Sequence, residues 1–175
     1  MLVQCVAHKR ISMRKTMRTI KMGERCPSAA SHWSSSIAEQ LDQAFWRTWP
    51  QECCGVVGRR RDGRLVFESL SNEAAVKERA FEVSPADVLR LFREAEAREE
   101  TPVAWIHSHP SGEGHCSQMD RDGFWVGEHW LWPGMEHGIL WLDAENRLHL
   151  SVVGPQKRSN EPKVNYSGVL TPISV

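Results

Sequence analysis

An apolar segment that runs without interruption into a pair of histidines constrains the fold of this chain more than any other feature. Residues 102–106 are apolar throughout, and His107, Ser108, His109 and Pro110 follow at once. A short apolar run that begins with proline predicts a central β-strand, which Pro110 ends because proline has no backbone N–H to donate. Side chains alternate along a strand, so His107 and His109 point to the same side. The segment therefore predicts a sheet that carries two imidazoles at the end of one strand.

The other elements follow from hydrophobic periodicity and turn signals. Apolar residues at helical spacing predict a helix from about Ile37 to Trp49, which Pro50 ends. Ser84 and Pro85 open a second helix, as a capping serine followed by proline at the first helical position. The predicted strands are 53–58 and 65–70, joined by an Asp-Gly turn, then 81–83, 102–106 and a last hairpin of 138–142 and 148–153, with a short third helix from Ser117. This order predicts a mixed α/β (α+β) fold, in which helices cover the faces of a sheet.

The length of 175 residues suits one domain with short appendages. Residues 1–31 are rich in lysine and arginine, and we expect either a disordered basic extension or a translation start placed too early, with an organelle transit peptide as the remaining alternative. Residues 32–155 form the expected domain. Residues 156–175 contain two prolines and few apolar side chains, so we expect an irregular tail.

Composition argues against several classes of function. The formal net charge is zero, so no overall field attracts the chain to nucleic acid or to a membrane surface. No apolar run reaches the ~18 residues of a membrane span. The five cysteines are odd in number and include no C-x-x-C pair, which argues against a disulfide framework and a cysteine-based zinc site. We therefore expect a cytoplasmic protein, with neither nucleic acid nor membrane as a partner.

The histidine pair is one half of a predicted metal site. Asp120 returns a carboxylate from the start of the third helix, and two histidines with one carboxylate leave a fourth position for water, as catalytic zinc requires. Bound zinc lowers the pKa of water to about 7, so hydroxide becomes available at neutral pH. Glu52 directly precedes the glycine-containing strand 53–58. It is the candidate general base, which would take a proton and pass it to the leaving group.

Together these residues resemble the JAMM signature of the MPN-domain (Mov34/PAD-type) zinc metallopeptidases, in their compact prokaryotic JAB-domain form. The signature is a glutamate before a glycine-containing strand, then H-x-H-P, six residues and S-x-x-D, and the resemblance spans about residues 35–153. It implies a layered fold similar to that of cytidine deaminases, with a central mixed sheet flanked by helices. It also implies that His107, His109 and Asp120 bind one Zn²⁺, that Glu52 shuttles protons and that Ser117 stabilises a tetrahedral oxyanion.

The same resemblance implies a hydrolase, a metallopeptidase or isopeptidase that cuts a peptide or isopeptide bond. The implied partner is a protein substrate with an extended C-terminal tail, of the ubiquitin-like or sulfur-carrier type, lying along a sheet edge. Three alternatives stay open: a non-catalytic MPN scaffold, a phage-tail-type peptidase, and a relative associated with DNA repair. Members of the last class tend to carry asparagine where this chain has Ser108.

Each candidate residue also has a purely structural interpretation. The histidines could be hydrogen-bonded structural residues, and S-x-x-D is also a helix-capping pattern. Glu52 could be an exposed carboxylate at a strand end. His115 and Asp122 are close enough in sequence to be rival metal ligands. A cluster of tryptophans predicts either core packing or the wall of a peptide-binding groove: Trp125, Trp130, Trp132 and Trp141.

Overall fold

A six-stranded mixed sheet forms the centre of the computed structural model, which describes residues 3–6, 33, 35–112, 114–126, 129–154 and 163–170. The helices are α1 (Ser35–Thr48), α2 (Pro85–Ala97) and α3 (Gln118–Phe124). The strands are β1 (Val3–Val6), β2 (Cys54–Arg59), β3 (Leu65–Leu70), β4 (Ala80–Val83), β5 (Thr101–His109), β6 (Trp125–Val126), β7 (His129–Trp130), β8 (Glu136–Leu142), β9 (Leu148–Gly154) and β10 (Lys163–Val169). The mixed α/β class, with helices flanking the sheet, is as predicted.

The strand order of the main sheet is β10-β9-β8-β5-β2-β3. All neighbours are antiparallel except β5 and β8, which run parallel. Two small sheets, β1 with β4 and β6 with β7, lie outside it. The strand that ends in the two histidines, β5, is therefore a central strand between β2 and β8, as its apolar sequence predicts.

Helix α1 covers one face of the sheet. Ile37, Leu41 and Phe45 recur at helical spacing and are almost completely buried. They belong to the same apolar cluster as Val57 of β2 and Ile106 of β5. This cluster fixes β2 beside β5, which matters because the two strands deliver different parts of the site described below.

The opposite face is covered by α2, α3 and β4. Trp105 of β5 packs there with Phe81 of β4, Leu91 of α2 and Phe124 of α3. Because alternate residues of a strand share a face, His107 lies on this side as well. The site therefore forms on the face opposite α1.

Close approach of backbone requires a glycine at the centre of the sheet. Gly55 lies in β2, which is paired on both sides, with β3 and with β5. A Cβ at this position would clash with the carbonyl oxygen of Glu68 and with the ring of Phe67. Only glycine allows β3 and its side chains to approach β2 this closely.

Two strands lie in segments that were expected to be irregular. β10, which pairs with β9, lies in residues 156–175, and β1, which pairs with β4, lies in residues 1–31. β10 adds to the edge of the main sheet, and β1 joins β4 in a separate two-stranded sheet. In both cases the partner strand offers an open row of N–H and C=O groups, which accepts an extended segment largely irrespective of its composition. The division of the chain at 32–155 stays a prediction. Among the described residues, no helix combines the length and apolarity needed to cross a membrane.

The tryptophans after the site mainly pack against the protein itself. Trp125, Trp130 and Trp132 are half-buried against the cluster that contains Phe124. Trp141 of β8 stacks on His149 of β9 and donates its indole N–H to the hydroxyl of Ser151, at 3.0 Å. The core-packing interpretation is therefore confirmed for these four side chains.

Candidate metal centre

Three of the predicted residues meet where β5 ends. Ligand atoms of His107, His109 and Asp120 all lie within 4.8 Å of one another. The Nε2 atoms of the two histidines are 2.8 Å apart. The carboxylate of Asp120 places Oδ1 3.1 Å from Nε2 of His107 and Oδ2 3.4 Å from Nε2 of His109. The side chains of His107 and Asp120 are buried while that of His109 is 14% exposed, so solvent reaches the group from the His109 side.

The spacing of these atoms suits a tetrahedral cation. Nitrogen and oxygen ligands at about 2.0–2.2 Å from zinc are separated from each other by about 3.3–3.6 Å in that geometry. The three observed separations are 2.8, 3.1 and 3.4 Å. Displacements of a few tenths of an ångström would accommodate the ion, and the set contains the imidazole and carboxylate donors that zinc prefers.

The carboxylate of Asp120 is held by the start of α3. The hydroxyl of Ser117 accepts from the N–H of Asp120 at 3.1 Å, and Oδ2 of Asp120 accepts from the N–H of Ser117 at 2.6 Å. This reciprocal capping box confirms the capping interpretation and at the same time aims Asp120 at the histidines. A hydroxyl is a donor as well as an acceptor, so capping leaves Ser117 able to donate to a developing oxyanion.

Burial and neighbouring groups set the protonation of the cluster. Burial lowers the pKa of His107, against the opposing effect of Asp120, so this imidazole is neutral near pH 7. Burial disfavours ionisation of Asp120, but its interactions with His107 and His109 outweigh that effect and hold the pKa of the carboxyl well below its usual range. A neutral imidazole and an ionised carboxylate are the forms that bind a metal.

Glu52 approaches the cluster from the segment just before the neighbouring strand β2. Cys54 lies opposite His107 in the antiparallel β2–β5 pair, so two residues further along Glu52 comes opposite His109. Its N–H donates to the carbonyl of Lys77 at 2.7 Å, and its own carbonyl accepts from Nδ2 of Asn72 at 3.1 Å. Glu52 is 5% exposed, so the interpretation as an exposed strand-end carboxylate is wrong.

The environment of Glu52 changes its acidity. Burial raises the pKa of Glu52 from 4.5 to about 8, while nearby His109 lowers it and nearby Asp120 raises it. A carboxyl that titrates close to neutral pH is suited to accepting a proton and giving it back.

Comparison with known proteins identifies the family. The family model for prokaryotic homologs of the JAB domain matches residues 34–147, which include every residue of the cluster. The chain belongs to this family. The desampylase of Haloferax volcanii is 30% identical over 102 residues, which are 57% of this chain and 69% of that relative.

Two solved structures are similar to this chain. A protein of Desulfitobacterium hafniense, known from its solution structure, superposes with a TM-score of 0.53 at 19% identity, covering 72% of this chain and 83% of its own. That similarity supports the fold alone. The solution structure of a protein from Salinibacter ruber is similar with a TM-score of 0.49 at 16% identity, over 75% of this chain and 86% of the other.

The JAB-domain cluster has a further histidine that sequence analysis missed. His137 is completely buried, and its Nε2 lies 2.7 Å from Nδ1 of His107. It belongs to β8, which runs parallel to β5 and pairs His137 with Trp105. The predicted strand begins only at Gly138, so His137 lies just outside it, whereas β8 begins at Glu136. The signal that could have revealed it is a histidine directly before an apolar strand.

The rival ligands lie outside the cluster. His115 and Asp122 are exposed, and Asp122 accepts from Nε2 of Gln118 at 2.9 Å. Cys116 is buried, and burial raises the pKa of its thiol to about 12, so the thiolate that a metal would need is not available. Within the described part of the chain, His107, His109 and Asp120 are the set whose ligand atoms converge.

An open apolar cavity of about 270 Å³ lies next to this JAB-domain site. Its aromatic lining includes Phe81 of β4, Phe92 of α2, Phe124 of α3 and Trp132 of the loop before β8. The ring of Phe81 also contacts that of His107, with centroids 4.8 Å apart. Trp132 lines this cavity in addition to its packing role, and the peptide-binding interpretation stays a prediction.

Proposed function

We propose that this JAB-domain protein is a JAMM-type zinc metallopeptidase or isopeptidase that hydrolyses a peptide or isopeptide bond at the tail of a ubiquitin-like or sulfur-carrier protein. The observation that carries the proposal is the convergence of two imidazoles and one carboxylate, with a buried Glu52 just before the adjacent strand β2. Similarity to a desampylase, by its name an enzyme that removes a protein modifier, supports the hydrolase class and the kind of substrate.

In this proposal each side chain of the cluster has one task. His107, His109 and Asp120 hold the ion. A zinc ion at this position supplies Lewis-acid polarisation and brings the pKa of water to about 7. Glu52, held in a buried position near neutral pKa, takes a proton from the attacking water and delivers it to the leaving amine. Ser117 donates its hydroxyl hydrogen to the oxyanion, a type of contact whose removal costs about 3 kcal/mol in other enzymes.

The edge of β4 supports an extended substrate. β1 adds to this edge as an antiparallel strand, with Val3 opposite Val83 and Val6 opposite Ala80, so the edge accepts an extended segment. β4 lies directly beside the site, because the ring of its Phe81 contacts His107. A substrate tail that took the place of β1 on this edge would gain the same main-chain hydrogen bonds, and the neighbouring cavity offers a place for an apolar side chain.

The test combines a metal measurement with a cleavage assay. We expect one zinc per chain, and cleavage of a ubiquitin-like or sulfur-carrier protein fused through its C-terminal tail, abolished by a chelator and restored by zinc. Glu52→Gln should keep the metal and lose about 10²- to 10⁴-fold in rate, whereas Glu73→Gln, at an exposed position, should behave as wild type.

Three results would contradict these assignments. A folded wild-type protein that binds zinc and shows no chelator-sensitive cleavage would favour a scaffold instead. Full activity in Glu52→Gln would remove Glu52 from its role as base. Undiminished zinc content in His109→Ala would exclude this cluster as the metal site.

A further inference from the structure

We propose that His137 is a positioning residue for the metal centre, which fixes the tautomer of His107 so that Nε2 is the atom presented to the ion. This inference rests on the proposed function only in assuming that His107 binds a metal. It does not depend on the reaction or on the substrate.

The ring of His137 is confined on both sides. It stacks on His107 with centroids 4.7 Å apart and planes at 23°, and on Phe124 with centroids 3.9 Å apart and planes at 26°. The residue is completely buried in β8, beside the strand that carries His107. Two flanking rings leave His137 no room to turn away, so its Nε2 stays 2.7 Å from Nδ1 of His107.

The hydrogen bond between the two imidazoles has one direction when a metal is bound. A neutral imidazole carries a single N–H, on one nitrogen or the other. Nε2 of His107 points towards His109 and Asp120, and as a metal ligand it carries no hydrogen. Nδ1 of His107 must then carry the hydrogen and donate it to Nε2 of His137. Without an ion the bond can run in either direction; once Nε2 of His107 binds a metal, His137 supplies the acceptor that this tautomer of His107 requires and holds it in place.

The fold itself gives no reason for a histidine at this position. Nδ1 of His137 is buried and has no hydrogen-bond partner among the described residues. An unpaired buried polar atom destabilises a fold relative to an apolar side chain of similar shape. Metal-binding histidines, in contrast, regularly require an acceptor for their second nitrogen, and loss of that acceptor weakens metal binding about 10- to 100-fold.

The experiment compares variants of the whole chain that differ in whether residue 137 offers a hydrogen-bond acceptor to Nδ1 of His107. His137→Phe keeps a ring and removes the acceptor, and His137→Leu removes the acceptor without a ring. His137→Gln keeps an amide oxygen that can accept. Phe124→Leu is the packing control, because leucine removes the stacked ring but keeps an apolar side chain that holds the imidazole of His137 in place, and neither residue makes a hydrogen bond to it. Zinc affinity is measured by competition with a chromophoric chelator, and the site geometry by the visible absorption of the Co²⁺-substituted protein.

We expect His137→Phe and His137→Leu to bind zinc about 10- to 100-fold more weakly and to show an altered Co²⁺ spectrum. His137→Gln should recover most of the affinity, and Phe124→Leu should lose thermal stability while its zinc affinity stays that of wild type. The melting temperature of metal-free His137→Phe should change by only a few degrees, since one unpaired buried nitrogen replaces another.

Wild-type zinc affinity in both apolar variants would overturn the inference. So would an equal loss of affinity in Phe124→Leu, because packing alone would then explain the effect. The proposed function is tested separately by the cleavage assay. If the zinc affinities rank as expected but no substrate is cleaved, the positioning role of His137 stands and the peptidase assignment is wrong.

Discussion

Replacement of Glu52 by glutamine should make the metal-free protein more stable at alkaline pH. The carboxyl is 5% exposed, and burial raises its pKa from 4.5 to about 8. Between these two values the folded state binds a proton that the unfolded state has released, so stability falls as pH rises. The destabilisation by the ionised carboxylate is absent below pH 4.5 and complete above about pH 8. Glutamine has the shape of the protonated carboxyl and does not titrate.

The size of the effect follows from the two pKa values. A difference of 3.5 (8 minus 4.5) at about 1.4 kcal/mol per unit corresponds to roughly 5 kcal/mol. Relaxation and entry of water around a buried charge reduce such penalties, so we expect a gain of about 2–5 kcal/mol for Glu52→Gln above pH 8. Near pH 5 the two proteins should differ little.

Urea denaturation in the presence of a chelator, at pH 5, 7 and 9, measures this difference directly. All other titrating groups are common to both proteins, so the change in the difference with pH reports on Glu52. Added zinc should reduce the pH dependence of wild type, because a nearby cation favours the ionised carboxylate. A difference in unfolding free energy that is the same at pH 5 and pH 9 would refute the burial of an ionisable carboxyl at this position.

Three further substitutions, each measured by chemical denaturation, test the hydrogen bonds and the close packing that surround the site. Ser108→Ala should cost about 1–3 kcal/mol, because the buried N–H of Cys53 loses its acceptor at 2.8 Å; an unchanged midpoint would contradict this. Gly55→Ala should cost about 3 kcal/mol or more, because the added Cβ clashes with the carbonyl oxygen of Glu68; an unchanged stability would show that β3 can move away from β2. Asn72→Ala removes four hydrogen bonds and should cost about 2–4 kcal/mol and lower cleavage, since the backbone of the proposed base is released; loss of stability without loss of rate would separate the two effects.

Local signals in the sequence predicted the three helices, the strands β2 to β5, β8 and β9, and the order of the site residues along the chain. The run that ends in Pro110 predicted β5, Ser84 and Pro85 predicted the start of α2, and S-x-x-D predicted the cap of α3. These features depend on neighbours within a few residues, so the sequence contains them directly. Alternation along β5 was sufficient to place His107 and His109 on one face.

Features that depend on which strands become neighbours could not be predicted. Periodicity assigns a residue to a face of the sheet, but the parallel pairing of β5 with β8 brings His137 to His107 from 30 residues away. The burial of Glu52 depends likewise on β2 lying beside β5. The edge strands β1 and β10 form because an open edge is available, and their own sequences give little indication of it.

The three converging side chains all come from residues 107–120. Closing so short a loop costs an unfolded chain only roughly 2 kcal/mol, so the denatured polypeptide should itself retain some affinity for the ion. Stabilisation by a ligand depends on preferential binding to the native state over the denatured one. The thermal shift produced by zinc should therefore be smaller than the native affinity alone would suggest. Folding adds the surroundings of this peptide, which are a carboxyl from the start of one flanking strand and an imidazole from within the other.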